Sequence, residues 1–328
     1  MRQRSVFSTL RALQHDNPLG LPRSGTPPSF PRRRGLPEKR KIRDVNKVIA
    51  VSSAKGGVGK STIAVNLALA FARRGIRTGI LDTDIFGPSI PTLLNLSGEP
   101  RLDDNNCLVP LTNYGLKSMS MGYLIPHASQ SAADNNSPST DPSAPPPMDT
   151  TPISWRGLMV TKAIHQLLHS VSWGPLDVLI MDLPPGTGDV QLTINQEIVV
   201  DGAVIVSTPQ DIALRDAVRG FGMFQKMDVP VLGMVRNMAF FACPHCGKET
   251  KIFSHSHDDS PDSGVVAQCK RLGIDFLGDI PLDARVCEDA DRGMPTVVAE
   301  ETDDRSARRN AFLHIAEKVA RKMGLEWR

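Results

Sequence analysis

Lys55 and Lys60 share one glycine-rich loop in VIAVSSAKGGVGKST, residues 48–62, where a phosphate-binding loop ordinarily needs a single lysine. A hydrophobic strand runs into Gly56, Gly57, Val58 and Gly59 and then into a helix start. That arrangement aims backbone N–H groups and the positive end of a helix dipole at one point, which suits a polyphosphate. Lys60 is placed to reach the outer phosphates, Ser61 to hold magnesium, and Thr62 closes the binding segment. Lys55 comes too early in the loop for that task and is expected to act across a subunit boundary. The loop therefore points to a dimerising NTPase.

Carboxylates follow at two further strand ends. In LDTDIFGPSIP, Asp82 and Asp84 stand where a strand opens onto the ligand crevice of a parallel sheet. One acid there can orient an attacking water and the other can support hydrated magnesium; Asp84, further into the loop, is assigned to the water. In LIMDLPPGTGD four apolar residues lead into Asp182, the position of a magnesium-linked Walker B acid. Gly186 and Gly188 in the turn behind it allow the backbone to approach or swing with the γ-phosphate, as a switch loop does.

The stretch VRNMAFFACPHCGKET adds a different chemistry. Asn237 follows an apolar run and is placed to hydrogen-bond a purine edge, although Asn at a strand end is also an ordinary turn residue. Cys243 and Cys246 form a C-x-x-C turn that converges two thiolates on one metal. Zinc or an iron-sulfur cluster takes four ligands. The missing two come either from nearby histidines (His245, His255, His257), giving a zinc knuckle, or from the same pair in a second copy at a two-fold axis, giving a bridging cluster. A redox or structural pair is the third reading. Cys107, Cys269 and Cys287 are isolated and read as small buried or semi-buried residues, and His165, His169 and His314 as structural.

The elements that must position these groups are short apolar runs at 48–51, 78–81, 178–181, 203–206 and 231–235 alternating with helical segments. This pattern predicts an α/β fold, a mostly parallel sheet with helices on both faces. A first helix is expected over 60–74, stopped by Gly75. A last one over 307–322 carries Phe312, Ile315, Ala316, Val319 and Met323 on one stripe, read as packing on the sheet rather than lying on a membrane.

Of the 328 residues, the first 44 hold eleven Arg and Lys against three acids, so the formal net charge of +3 conceals a mildly acidic body and gives no support to nucleic-acid binding. No apolar run approaches the ~18 residues of a membrane span. The opening MRQRSVFSTLRALQH, with no acid and an apolar set at helical spacing, reads as a mitochondrial presequence, and residues 17–41 as linker. Five cysteines without a secretory pattern fit a reducing compartment. The expected organisation is presequence and linker over 1–44 and one ATPase domain over 45–328, with a Ser/Pro/Asp-rich disordered insertion at 126–151 and a metal-binding loop at 241–248.

KGGVGKST, DTDIFGPSIP, WRGLMV, DLPPGTGDVQL, STPQDIALRDA, NM and CPHCG, in this order, resemble the Mrp/NBP35 family of P-loop ATPases, over residue 35 to the C-terminus. The presequence resembles that of the family's mitochondrial, nucleotide-binding-protein-like branch, which serves respiratory complex I assembly. The resemblance implies a homodimer of the mitochondrial matrix that carries a labile 4Fe-4S cluster between two copies of Cys243 and Cys246 and passes it to apo-proteins, complex I subunits among them. It also implies slow hydrolysis of ATP with Mg2+ at a deviant Walker A loop, where Lys55 is the signature lysine, Lys60 the phosphate lysine, Ser61 the magnesium ligand, and Asp84 and Asp182 the switch and Walker B acids. Asn237 matches the adenine-contacting position. One departure is Ala54, where the family has Gly; a Cβ there costs on the order of 1 kcal/mol if the backbone needs positive φ. The rival functions are a partition or positioning ATPase that binds DNA or membrane, and a cytosolic cluster scaffold.

Overall fold

The computed structural model describes residues 39–124, 157–243, 245–246, 248–253, 264–303 and 305–327. The expected presequence and insertion, and most of the expected linker, lie outside them. In chain order, β1 (Val45–Ser52) feeds the glycine loop and α1 (Lys60–Arg73), β2 (Thr78–Asp82) feeds α2 (Ile90–Leu93), and β3 (Leu111–Asn113) and β4 (Leu116–Ser120) form a hairpin before α3 (Gly157–His169). There follow β5 (Leu176–Asp182), α4 (Asp189–Glu197), β6 (Gly202–Ser207), α5 (Asp211–Lys226) and β7 (Val231–Arg236). The chain closes with a small hairpin, β8 (Phe241–Ala242) and β9 (Glu249–Thr250), then α6 (Gly264–Leu272), β10 (Phe276–Asp279), α7 (Ala284–Asp291), α8 (Thr296–Ala299) and α9 (Ala307–Met323).

The main sheet runs β10-β7-β6-β1-β5-β2-β4-β3, with every neighbouring pair parallel except β3 and β4. All five apolar runs become strands of it, because strands covered on both faces need little polar alternation. On β1, Ile49 and Val51 pack with Leu67 and Phe71 of α1 and Phe312 and Ile315 of α9. Ala50 points the other way, into a layer with Leu167 of α3, Ile194 of α4 and Phe224 of α5. This is the period of two expected of a strand, and it puts helices on both faces.

The whole apolar stripe of α9 is buried in that core, which accounts for its amphipathic pattern without a membrane. Among the described residues no helix is long and apolar enough to cross a membrane.

Residues 39–44, assigned from composition to linker, belong instead to the folded body. Arg40 donates its backbone N–H to Glu197, its carbonyl accepts from Val199, and Ile42 is buried in the core. Composition does not show this because four of those six residues are basic, and only the backbone pairing gives them a place.

β4 carries no strand signal in the sequence. Its sequence, LKSMS, is too polar to signal a buried strand, yet Lys117 donates to the Trp173 carbonyl, Ser118 pairs with the Tyr123 hydroxyl and Ser120 donates to Asp82. Each polar group is satisfied by a residue distant in sequence or in another element, as burial requires.

Candidate functional site

β1 lies in the middle of the sheet between β5 and β6, so its C-terminal end opens at the place where parallel sheets bind ligands. Gly59 caps α1 in the left-handed region (φ 83°), and its carbonyl accepts the first helical bond from Ile63. A Cβ on Gly59 would stand 2.2 Å from the Asn237 amide nitrogen. A Cβ on Gly56 or Gly57 would meet nothing within 4 Å, so the outer side of the loop is open to a ligand. Ala54 is not among the positive-φ residues, and its methyl faces Gly220 of α5 at a separation that would admit a Cβ at 3.8 Å. The departure from Gly thus carries no backbone strain here.

Behind the loop Lys60 is buried and its Nζ lies 2.5 Å from Asp182 Oδ1. The same ammonium is 3.3 Å from Ser61 Oγ, and Ser89 Oγ approaches that hydroxyl at 3.4 Å. Asp182 Oδ2 is buried with no hydrogen-bond partner. An orphaned carboxylate oxygen beside a serine hydroxyl at a strand end has the donor chemistry that hydrated magnesium uses, so Ser61 and Asp182 fit their assigned ligand set. Burial pushes the Asp182 carboxyl up, against the pull of Lys60.

Asp82 is wholly buried and organises the next loop. Its carboxylate accepts from the backbone N–H groups of Asp84 and Ile90 and from Ser120 Oγ. Burial, reinforced by the nearby Asp182, lifts its pKa to about 7. Asp84 is half-buried and also shifted up by burial, while the backbone N–H groups of Gly87 and Phe86 hold its carboxylate on its own loop. The Pro184–Gly188 turn is strapped to the phosphate loop, since Gly186 donates its N–H to the Ser53 carbonyl, and buried Gln191 of α4 donates to the Pro184 carbonyl. The sequence pattern flagged Asp82 and the glycines but not Gln191, whose role exists only through the packing of α4.

Lys55 is half-buried, and among the described residues its ammonium makes no ion pair; only its carbonyl is engaged, by Ser53 Oγ. Asn237, at the end of β7, donates Nδ2 to the Val58 carbonyl at 2.8 Å and its backbone N–H to Ser207. At least one amide proton therefore serves the phosphate loop itself. This contact joins the loop to the segment that carries the cysteines.

Cys243 and Cys246 occupy the tip of the β8–β9 hairpin, at the same C-terminal edge of the sheet as the glycine loop. The hairpin is held at its base by Ala239 donating to Ile280 and Leu282 donating to Phe240. Both cysteines are free, Cys246 exposed and Cys243 half-buried. Backbone N–H groups of Cys246 and His245 together with the Cys246 thiol hold the Cys243 thiol below its usual range, toward the metal-binding thiolate. Of the isolated cysteines, Cys269 is buried and its thiol pushed up to about 11, Cys107 is half-buried, and Cys287 is exposed, contrary to its reading as a buried residue. α7, which carries Cys287, buries none of its residues, so no core claims that side chain.

The central glycine loop, the buried lysine-aspartate pair and the strapped turn define a P-loop NTPase. The family model described as NUBPL iron-transfer P-loop NTPase matches residues 44–135 and 146–320, and the chain belongs to that family. It is 47% identical over 292 residues to the mouse iron-sulfur cluster transfer protein NUBPL, covering 88% of this chain and 82% of the relative. It is 41% identical over 260 residues to an Arabidopsis iron-sulfur protein required for NADH dehydrogenase, mitochondrial, covering 79% and 74%. Among solved structures, the Archaeoglobus fulgidus nucleotide-binding protein in complex with ADP superposes with a TM-score of 0.62 at 33% identity, covering 82% of this chain and 93% of that one.

Proposed function

We propose that this protein is an ATP-dependent carrier of iron-sulfur clusters in the mitochondrial matrix, delivering a 4Fe-4S cluster to apo-proteins that include subunits of respiratory complex I. The observation that carries the reading is a pre-turned thiol pair, Cys246 exposed and Cys243 half-buried, on a hairpin whose root is hydrogen-bonded to a phosphate loop. The mouse relative is a cluster transfer protein, which supports the cargo, and the Arabidopsis relative is a mitochondrial iron-sulfur protein required for NADH dehydrogenase, which supports the destination.

Two thiols per chain make half of a four-ligand set, so a homodimer with Cys243 and Cys246 contributed twice completes it. The cluster is cargo, held at an exposed tip from which it can be exchanged. Mg-ATP, when bound, supplies the phosphoanhydride whose cleavage drives the cycle. Lys60 holds the outer phosphates in exchange for part of its contact with Asp182, Ser61 and Asp182 hold the magnesium, and Asp84 orients the attacking water. Asn237 faces the nucleobase with whatever valence its Val58 contact leaves. Lys55 reaches the partner's nucleotide, which keeps turnover slow until the dimer closes.

Anaerobic reconstitution tests this directly. The full chain is expected to bind about one four-iron cluster per dimer. A Cys243→Ser, Cys246→Ser variant that retained its cluster would refute the ligand assignment.

A further inference from the structure

Two histidines without a role in the nucleotide or cluster chemistry meet a glutamate on a neighbouring helix. His165 and His169 are one helical turn apart on α3, so their imidazoles share a face, with ring centroids 4.6 Å apart. Glu197 is the last residue of α4, and its Oε2 lies 3.6 Å from His169 Nε2. One ligand atom from each of the three residues lies within 4.8 Å of the other two. Glu197 Oε2 is buried and has no hydrogen-bond partner.

We propose that His165, His169 and Glu197 bind one divalent first-row transition ion, with Zn2+ the best match. Two imidazoles and a carboxylate are the borderline donors such ions prefer, and three protein ligands leave a fourth position to water. With metal–ligand bonds of about 2.05 Å, ligand atoms of a tetrahedral site stand roughly 3.4 Å apart, close to the existing His169–Glu197 separation. His165 is exposed and free to close the remaining gap by a side-chain rotation.

The surroundings favour a cation at this place. α3 ends at His169 and α4 at Glu197, so two helix C-termini present their partial negative charge together. Burial and the neighbouring His165 hold His169 below the usual imidazole range, against the opposing pull of Glu197. Arg40, whose charge is also felt at His169, opposes the ion and limits its affinity. A carboxylate oxygen buried without a donor is unfavourable by itself, and an ion between it and the imidazoles removes that cost. The ion would tie α3 to the end of the helix that begins behind the Pro184–Gly188 turn.

The test uses the full chain carrying Cys243→Ser and Cys246→Ser, so that the hairpin thiols do not compete, with Zn2+ titrated by calorimetry after chelator treatment and without nucleotide. One ion per chain is expected, weakened at least about tenfold by His169→Gln or Glu197→Gln. His165→Ala, at an exposed side chain whose loss cannot unfold the protein, is expected to weaken it likewise. With Co2+ as probe, the visible ligand-field band should change in all three variants. Zn2+ affinity and stoichiometry unchanged in His165→Ala and His169→Gln would overturn the proposal, as would an ion lost on Ser61→Ala instead.

Discussion

Removing the Lys60 ammonium should do more than abolish nucleotide binding. Lys60 is 6% exposed and Asp182 0%, with 2.5 Å between Nζ and Oδ1, and Asp182 Oδ2 already lacks a partner. Taking one member from a buried ion pair strands the other charge and costs about 3–5 kcal/mol. Here the stranded group has company, because Lys60 also pulls down the carboxyls of Asp82 and Asp84. In Lys60→Ala these acids rise further above their unfolded values. A carboxyl with a raised folded pKa favours the folded state while protonated, and that advantage is lost as pH rises through the folded pKa. The variant should therefore be destabilised by about 3–5 kcal/mol at pH 8 and by clearly less at pH 5, with each affected carboxyl adding a slope of at most about 1.4 kcal/mol per pH unit. Urea unfolding in EDTA without nucleotide measures both. Adding Asp182→Asn should restore at least about 2 kcal/mol, because it removes the stranded charge. A Lys60→Ala protein within about 0.5 kcal/mol of the parent at pH 8, or one that Asp182→Asn does not rescue, would refute the reasoning.

Three further outcomes are expected. Asp82, lifted to about 7 by burial and Asp182, makes the parent lose stability between about pH 4 and pH 7, by on the order of 4 kcal/mol, and Asp82→Asn should flatten that part of the profile; parallel profiles in urea unfolding would contradict it. Gly59→Ala places a Cβ at φ 83° and 2.2 Å from the Asn237 amide, so it should cost about 2 kcal/mol or more; Asn237→Ala in the same chain should cost less than the two separate losses, and strict additivity would argue against the contact. Lys55→Ala should keep ATP affinity within about twofold, measured by calorimetry, while steady-state phosphate release falls at least about tenfold; equal loss of binding in the Lys55 and Lys60 variants would end the division of roles between them.

The strands that build the site were readable because each is a short aliphatic run, and a strand buried on both faces gains most from such residues. The glycine loop, Asp182 and the cysteine pair were readable because their chemistry is local: a turn of fixed length delivers N–H groups or two thiolates to one point. β4 and residues 39–44 were not, since their polar residues become acceptable only through partners such as Trp173, Tyr123, Asp82 and Glu197. The same holds for His165 and His169, which look like isolated structural residues until α4 brings Glu197 beside them.

By itself the sequence determined which atoms this protein can offer: a phosphate loop with two lysines, three acids at strand ends and one thiol pair. The tertiary structure decided how those atoms are committed. It set Lys60 against Asp182 and buried Asp82 far enough to lift its pKa, because desolvation depends on what packs around a carboxylate and not on its neighbours in the chain. It also tied Asn237 to Val58 across 179 positions of sequence, the contact that joins the nucleotide loop to the root of the cysteine hairpin. That link depends on β6 and β1 lying side by side beyond β7, an order no local pattern encodes.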